Sequence, residues 1–183
     1  MMRAFLCVFC LILAGCAQRP LPVLGDVPVF QLTDHLGRTF SSSALAGHVW
    51  VADFVFTNCE GPCPRMSSHM HSLQDKTDAG VKLISFTVDP ARDTPPVLAE
   101  YAKKFDADSN RWLLLTGDVA TLNKLDQDAF KLGSVNGGDD IEHSTYFGLV
   151  DKKGRIRGLY GISAGDPVQN IVRDAARLER EPS

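Results

Sequence analysis

Apolar residues follow two kinds of pattern along the chain after residue 28. Residues 49–56 and 81–88 are almost continuously apolar and rich in β-branched and aromatic side chains. This pattern is typical of strands that are buried on both faces of a sheet. Elsewhere, apolar positions recur at helical spacing and predict amphipathic helices. The predicted helices are 64–76, 96–105, 118–132 and 166–181.

Shorter strands complete the predicted sheet. They are 29–33, 38–40, 112–116, 145–150 and 155–160. The polar turns at 34–37 and 151–154 both end in glycine, so they predict two hairpins. The resulting order is a hairpin followed by β-α-β-α-β-α-β-β-α. It predicts an α/β, thioredoxin-like fold: a central mixed sheet flanked by helices, with an N-terminal hairpin extension.

The first residues have the pattern of an export signal. Arg3 precedes an apolar stretch, 4–13, that is too short to span a bilayer as a helix. The sequence Leu13-Ala14-Gly15-Cys16 follows, and it resembles the lipobox of bacterial lipoproteins, in which cleavage precedes a cysteine that then carries lipid. The alternative is an ordinary cleaved signal peptide with an incidental cysteine.

The lipobox divides the chain into three predicted parts. They are a lipoprotein signal peptide over 1–15, a tether over 16–27 that begins at the lipid-modified Cys16, and a folded domain over 28–183. The chain is therefore expected to be exported and anchored by lipid to a bacterial membrane, facing the periplasm or the cell exterior.

Charge and cysteine content narrow the chemistry. The chain has 22 acidic and 19 basic residues with no basic cluster, which argues against a nucleic-acid partner. Of the five cysteines, two lie in the predicted signal peptide and one is Cys16. Cys59 and Cys63 remain. In an exported, oxidising compartment, two thiols this close either form a disulfide or hold a metal.

The loop around Cys59 and Cys63 favours reactive sulfurs. Pro64 suits the first position of the helix that follows, which places Cys63 where the helix dipole favours a thiolate. Residues four apart on a helical turn are neighbours, so both sulfurs could meet one ion or each other. A purely structural disulfide is the alternative, but a loop this short constrains the unfolded chain little.

Three segments in this order resemble the Sco/SenC family. They are FTNCEGPCP at 56–64, VDPARDTP at 88–95 and IEHST at 141–145. The resemblance runs from about residue 29 to the C-terminus and implies a thioredoxin fold. It also implies a copper ion, Cu(I) or Cu(II), held by Cys59, Cys63 and His143. Family members assist assembly of the binuclear copper centre of cytochrome c oxidase, so the implied partner is a copper-receiving oxidase subunit or a copper donor protein.

Two alternatives stay open at this point. Thiolates suit Cu(I) and imidazole also accepts Cu(II), but two cysteines, a histidine and water are equally a zinc arrangement. Between the cysteines, Glu60-Gly61-Pro62 departs from many family members, which have a proline just after the first cysteine. Gly61-Pro62-Cys63 resembles the active-site turn of thioredoxin instead. This favours a second function class, an exported thiol-disulfide oxidoreductase with Cys59 and Cys63 as its redox-active pair. Disulfide exchange needs only the two sulfurs, whereas copper binding also needs His143.

Overall fold

The computed structural model describes residues 19–130, 145–163 and 165–182. Within these ranges the chain forms eight strands and four α-helices, with a 3-10 helix (Ser42–Leu45) and a π-helix (Lys124–Phe130). The strands are β1 (Gly25–Asp26), β2 (Gln31–Asp34), β3 (Thr39–Ser41), β4 (Trp50–Val55), β5 (Lys82–Thr87), β6 (Trp112–Thr116), β7 (Tyr146–Val150) and β8 (Arg155–Gly161). The α-helices are α1 (Cys63–Lys76), α2 (Pro95–Lys104), α3 (Val119–Asn123) and α4 (Pro167–Glu179).

One mixed sheet joins all of these strands in the order β1-β8-β7-β4-β5-β6-β2-β3. The central strands β4, β5 and β6 run parallel, and β7 runs antiparallel to β4. The hairpin β2–β3 attaches to β6 at the other side of the sheet. The structure thus confirms the predicted mixed α/β sheet with its N-terminal hairpin extension.

Each face of the sheet is covered by its own hydrophobic cluster. Side chains alternate along β4, so Val51 and Val55 enter one cluster while Trp50 and Phe54 enter the other. The first cluster contains the apolar sides of α1 and α4. Its helical members include Met66, Met70, Leu73, Ile171 and Leu178, all fully buried. The second contains Phe86, Leu122, Leu125 and Phe130.

The two ends of the sheet differ in what they carry. Because β4 and β5 are parallel, the segments that follow Val55 and Thr87 emerge at the same end. We call this the thiol end, since the loop 56–62 with Cys59 lies there. Strand β7 is antiparallel, with Val150 beside Trp50. The turn at 151–154 therefore lies at the opposite end, which we call the turn end.

The helix predicted over 118–132 changes type along its length. Asp118 is its N-cap and accepts a hydrogen bond from the Thr121 amide at 3.0 Å, as its position before an apolar helix predicts. After Asn123 the chain continues as the π-helix Lys124–Phe130. Asp126 in this segment is buried, and burial raises the pKa of its carboxyl to about 6.

A buried histidine joins the β2–β3 turn to β6. The Nδ1 atom of His35 accepts the Leu114 amide at 3.2 Å, and its Nε2 lies 3.0 Å from the Ser109 hydroxyl. Because Nδ1 is an acceptor, the ring is neutral and carries its proton on Nε2. Burial lowers the pKa of His35 below its ordinary value of 6.5.

We expect His35 to make the protein less stable in mild acid. The unfolded histidine takes up a proton as the pH falls through about 6.5, whereas the folded ring takes one up only at a lower pH. Its contribution to the free energy of unfolding is therefore present above pH 6.5 and is lost as the pH falls below it. Urea unfolding between pH 8 and pH 5 measures this loss as the difference between the parent and His35→Gln.

The comparison with the variant is needed because other groups also change stability over this pH range. The buried carboxyls of Asp53 and Asp126 have raised pKa values, so their contribution to the free energy of unfolding increases as the pH falls. The control is His71→Gln, since the His71 side chain is 39% exposed on α1. A pH profile that His35→Gln leaves unchanged would contradict the assignment.

Candidate metal centre

The two cysteines lie on either side of the start of α1. Cys63 is the first residue of the helix, Pro64 is the second, and the Met66 amide donates to the Pro62 carbonyl at 3.0 Å. The helix therefore begins one residue before Pro64, the predicted first position. Cys59 lies before the helix, in a turn where its amide donates to the Phe56 carbonyl at 3.4 Å.

Both sulfurs are reduced and buried, and they are close together. Cys59 is 8% exposed and Cys63 is 2% exposed, and the Cys59 side chain lies close enough to the Cys63 thiol to raise its pKa. The expectation that both cysteines share one helical turn is wrong, since only Cys63 is helical. The preceding turn brings the Cys59 sulfur to Cys63.

Burial controls the protonation of this pair. Removal from water raises the pKa of the Cys63 thiol, and its hydrogen bond with Cys59 and the nearby charge of Asp53 raise it further. A backbone hydrogen bond at Phe56 acts in the opposite direction but is weaker. Burial therefore disfavours, in the metal-free protein, the Cys63 thiolate that its place at the helix N-terminus predicted.

A buried carboxylate holds the cysteine loop in place. Asp93, 1% exposed, accepts hydrogen bonds from the Thr57 hydroxyl at 2.5 Å and the Thr57 amide at 3.2 Å. It also accepts one from the Thr87 hydroxyl at 2.6 Å. Asp93 thus ties the loop after β4 to the end of β5. It does not cap α2, whose N-cap residue is Thr94.

A second buried carboxyl lies below the thiols on β4. Asp53 is fully buried, and its Oδ1 accepts a hydrogen bond from the Ser85 hydroxyl at 2.6 Å. The Trp112 indole N–H donates in turn to the Ser85 oxygen at 2.9 Å. Asp53 Oδ2 has no hydrogen-bond partner among the described residues. Burial raises the pKa of Asp53 to about 7, although Ser85 opposes the shift.

Sequence reasoning missed Asp53, although a signal was present. It is the one charged residue in the otherwise apolar run 49–56. A carboxyl in the middle of a strand buried on both faces is costly unless something compensates it. Such a residue is therefore a candidate for a role at a nearby site.

The other two predicted site residues, Cys16 and His143, lie outside the described residues. Within the described ranges, no three His, Cys, Asp or Glu side chains come together in a way that could hold a metal ion. The described part of the chain therefore contributes the two sulfurs. None of its helices is long and apolar enough to cross a membrane.

A mixed sheet with a buried pair of cysteines at the start of a helix defines a thioredoxin-like dithiol protein. A sequence model of the SCO1/SenC family matches residues 26–178. The chain belongs to this family.

Solved structures show the same fold. A SCO1/SenC family lipoprotein from Bacillus anthracis is 37% identical, covering 84% of this chain and 95% of its own, with a TM-score of 0.76. BsSco is described as a member of the Sco family of cytochrome c oxidase assembly proteins with a disulfide switch. It is 32% identical, covering 90% of this chain and all of its own (100%), with a TM-score of 0.81. Yeast Sco1 with copper bound is 28% identical, covering 85% and 90%, with a TM-score of 0.68.

We expect Asp93→Ala to expose the thiols without unfolding the domain. Hydrogen bonds to a charged group contribute about 1.5–3 kcal/mol each, and Asp93 accepts several from Thr57 and Thr87. Losing about 1.4 kcal/mol of loop stability corresponds to a tenfold change in an opening equilibrium. Alkylation of the reduced protein by iodoacetamide should therefore accelerate at least about tenfold at Cys63.

Asp34→Ala is the matched control. Asp34 is also a buried carboxylate, 2% exposed, and it accepts from the Leu36 and Arg38 amides. It lies on β2, three strands away from β4. Equal acceleration in both variants would show that the effect is general destabilisation and would refute a local role for Asp93.

Proposed function

We propose that this protein is a copper chaperone that assists assembly of cytochrome c oxidase. The observation that carries the proposal is the pair of adjacent, buried and reduced sulfurs of Cys59 and Cys63. Soft sulfur ligands suit Cu(I). The family supports the cargo and its destination, since yeast Sco1 has been solved with copper bound and BsSco belongs to a family of cytochrome c oxidase assembly proteins.

The electrostatics of the site favour the binding of a cation, because the metal-free site holds a protonated thiol that a positive ion can ionise. Without metal, burial raises the pKa of Cys63 and keeps it protonated, so metal binding must release its proton. The positive charge of the ion then compensates the thiolates that the site alone disfavours. Asp53, with its pKa raised to about 7, is partly protonated at neutral pH and adds less negative charge beneath the sulfurs.

We assign His143 as the third ligand. The support comes from Thr145, the first described residue after His143 in the sequence. Its carbonyl accepts the Ile162 amide at 2.9 Å. Because β7 is antiparallel to β4, the start of β7 lies at the thiol end. The described chain therefore resumes at the thiol end two residues after His143 in sequence.

The alternative function, thiol-disulfide exchange, is not favoured by the described geometry. An attacking sulfur must be accessible and partly ionised. Cys63 is 2% exposed, and burial raises its pKa. These properties suit a site that stays inert until an ion enters it.

We also propose that Cys16 carries the lipid that anchors the exported chain to a bacterial membrane. The support is the lipobox at residues 13–16 and the apolar stretch before it. The similar Bacillus anthracis protein is described as a SCO1/SenC family lipoprotein. Mass spectrometry of the N-terminal peptide from membrane-extracted protein tests this assignment directly.

We expect His143→Ala to weaken copper binding and Cys63→Ser to abolish it. Loss of a ligand should exceed the roughly 10–100-fold cost of changing an outer hydrogen-bond partner. The measurement is metal content after copper loading, together with competition against a chromogenic Cu(I) chelator and the sulfur-to-copper charge-transfer band for Cu(II).

His71→Ala is the control for His143→Ala, because it removes an imidazole from α1 rather than from the proposed ligand set. Undiminished copper affinity in His143→Ala would remove the third ligand from the proposal. Failure of the reduced parent protein to bind copper at all would overturn the function itself.

A further inference from the structure

One buried arginine fastens the segment before β1 to the domain. Arg157, 3% exposed, has five N–H donors. Its Nη2 donates to the Leu21 carbonyl at 2.8 Å and its Nε donates to the Pro22 carbonyl at 3.0 Å. The remaining donors bind the carboxylates of Asp151 and Glu181. Every N–H of this side chain is therefore used, and two of them hold backbone that has no regular structure.

The residues on either side of this contact are also attached. The Leu24 amide donates to the Ile156 carbonyl at 2.8 Å, and β1 then pairs with the start of β8. Closer to the N-terminus, the Arg177 side chain donates to the Arg19 carbonyl. Residues 19–26, within the predicted tether, thus lie along the domain surface.

All of these contacts are at the turn end of the sheet. Asp151 begins the turn between β7 and β8, β1 pairs with the first residues of β8, and Arg177 is in the last turn of α4. Cys59 and Cys63 lie at the other end, beyond Val55. The six residues of β4 alone separate the two ends by about 20 Å at 3.3 Å per residue.

We propose that the docked tether holds the turn end of the domain against the membrane and points the dithiol away from it. This inference rests on the proposed lipid at Cys16. Only three residue steps separate Cys16 from Arg19, a reach of at most about 11 Å. The lipid must therefore enter the bilayer next to the turn end.

This orientation defines the kind of partner that can reach the cysteines. The dithiol stands about the length of the sheet above the bilayer, so the partner is a domain that projects from the membrane surface by a similar height. A partner whose own metal site lies at the level of the lipid headgroups could not reach Cys59 and Cys63.

The orientation can be measured with two matched labels on the lipidated chain. Ala91 and Ala176 are both exposed; Ala91 follows β5 at the thiol end, and Ala176 precedes Arg177 on α4. Each is changed to cysteine, Ala91→Cys or Ala176→Cys, in a background with Cys59→Ser and Cys63→Ser, and carries a fluorophore. The protein is reconstituted in phosphatidylcholine vesicles that contain a lipid with a nitroxide on its headgroup.

We expect the headgroup nitroxide to quench the fluorophore strongly at position 176 and only weakly at position 91. The extent of quenching should differ roughly tenfold or more, because the two ends of the sheet are about 20 Å apart. Ten Gly and Ser residues inserted between Gln18 and Arg19 should abolish the difference, whereas the same insert after Ser183 should preserve it. Equal quenching in the parent, or stronger quenching at 91, would overturn the orientation.

The intact mass of the reconstituted protein separates the two proposals. A lipidated chain with equal quenching refutes the orientation alone and leaves the anchor and the copper function standing. A chain without lipid refutes the anchor, and the orientation with it, whatever the labels report.

Discussion

The Asp93 carboxylate makes the contact on which the cysteine site depends. Parallel strands cannot be joined by a short turn, so the loop after β4 and the segment after β5 reach the same end of the sheet from distant parts of the sequence. Thr57 and Thr87 donate to the same carboxylate, which fixes the loop against β5. The position of Cys59 beside the first residue of α1 follows from this link, since the loop between Thr57 and Cys63 has no regular structure to hold it.

Burial gives the site its chemical character. A cysteine at the start of a helix, as Cys63 is here, would ionise more readily at a protein surface. Here the loop and the first hydrophobic cluster exclude water from them, and the pKa of Cys63 rises. The metal-free Cys63 thiol is therefore protonated and shielded from water, and an ion that brings positive charge favours its ionised form. Burial thus explains two properties of the site together: it can hold a metal ion, and its Cys63 sulfur is a poor nucleophile when no metal is bound.

Hydrophobic periodicity predicted most of the scaffold because it reports directly on which faces are buried. The strands β4 and β5 and the helices α1 and α4 follow from runs and spacings of apolar residues. The ionisation of Cys63 could not be predicted in this way, because the helix dipole is visible in the sequence and the depth of burial is not. The docking of residues 19–26 was equally hidden. Arg157 binds the carbonyls of Leu21 and Pro22, and backbone carbonyls more than 130 residues away carry no sequence signal.

Asp93, Arg157 and Asp53 show how this fold uses buried charge. A buried charged group is costly unless its hydrogen bonds are satisfied, and Arg157 uses every donor while Asp93 accepts from two threonines. Both fix a segment of irregular backbone. Asp53 has one oxygen bound by Ser85 and a second without a partner among the described residues. Burial raises the pKa of this carboxyl to about 7. It lies within electrostatic reach of the thiols, where the charge must change when an ion binds. Asp93 and Arg157, whose hydrogen bonds are satisfied, therefore fix the backbone of the domain. Asp53, which lacks one partner among the described residues, lies near the thiols, where the charge changes when an ion binds.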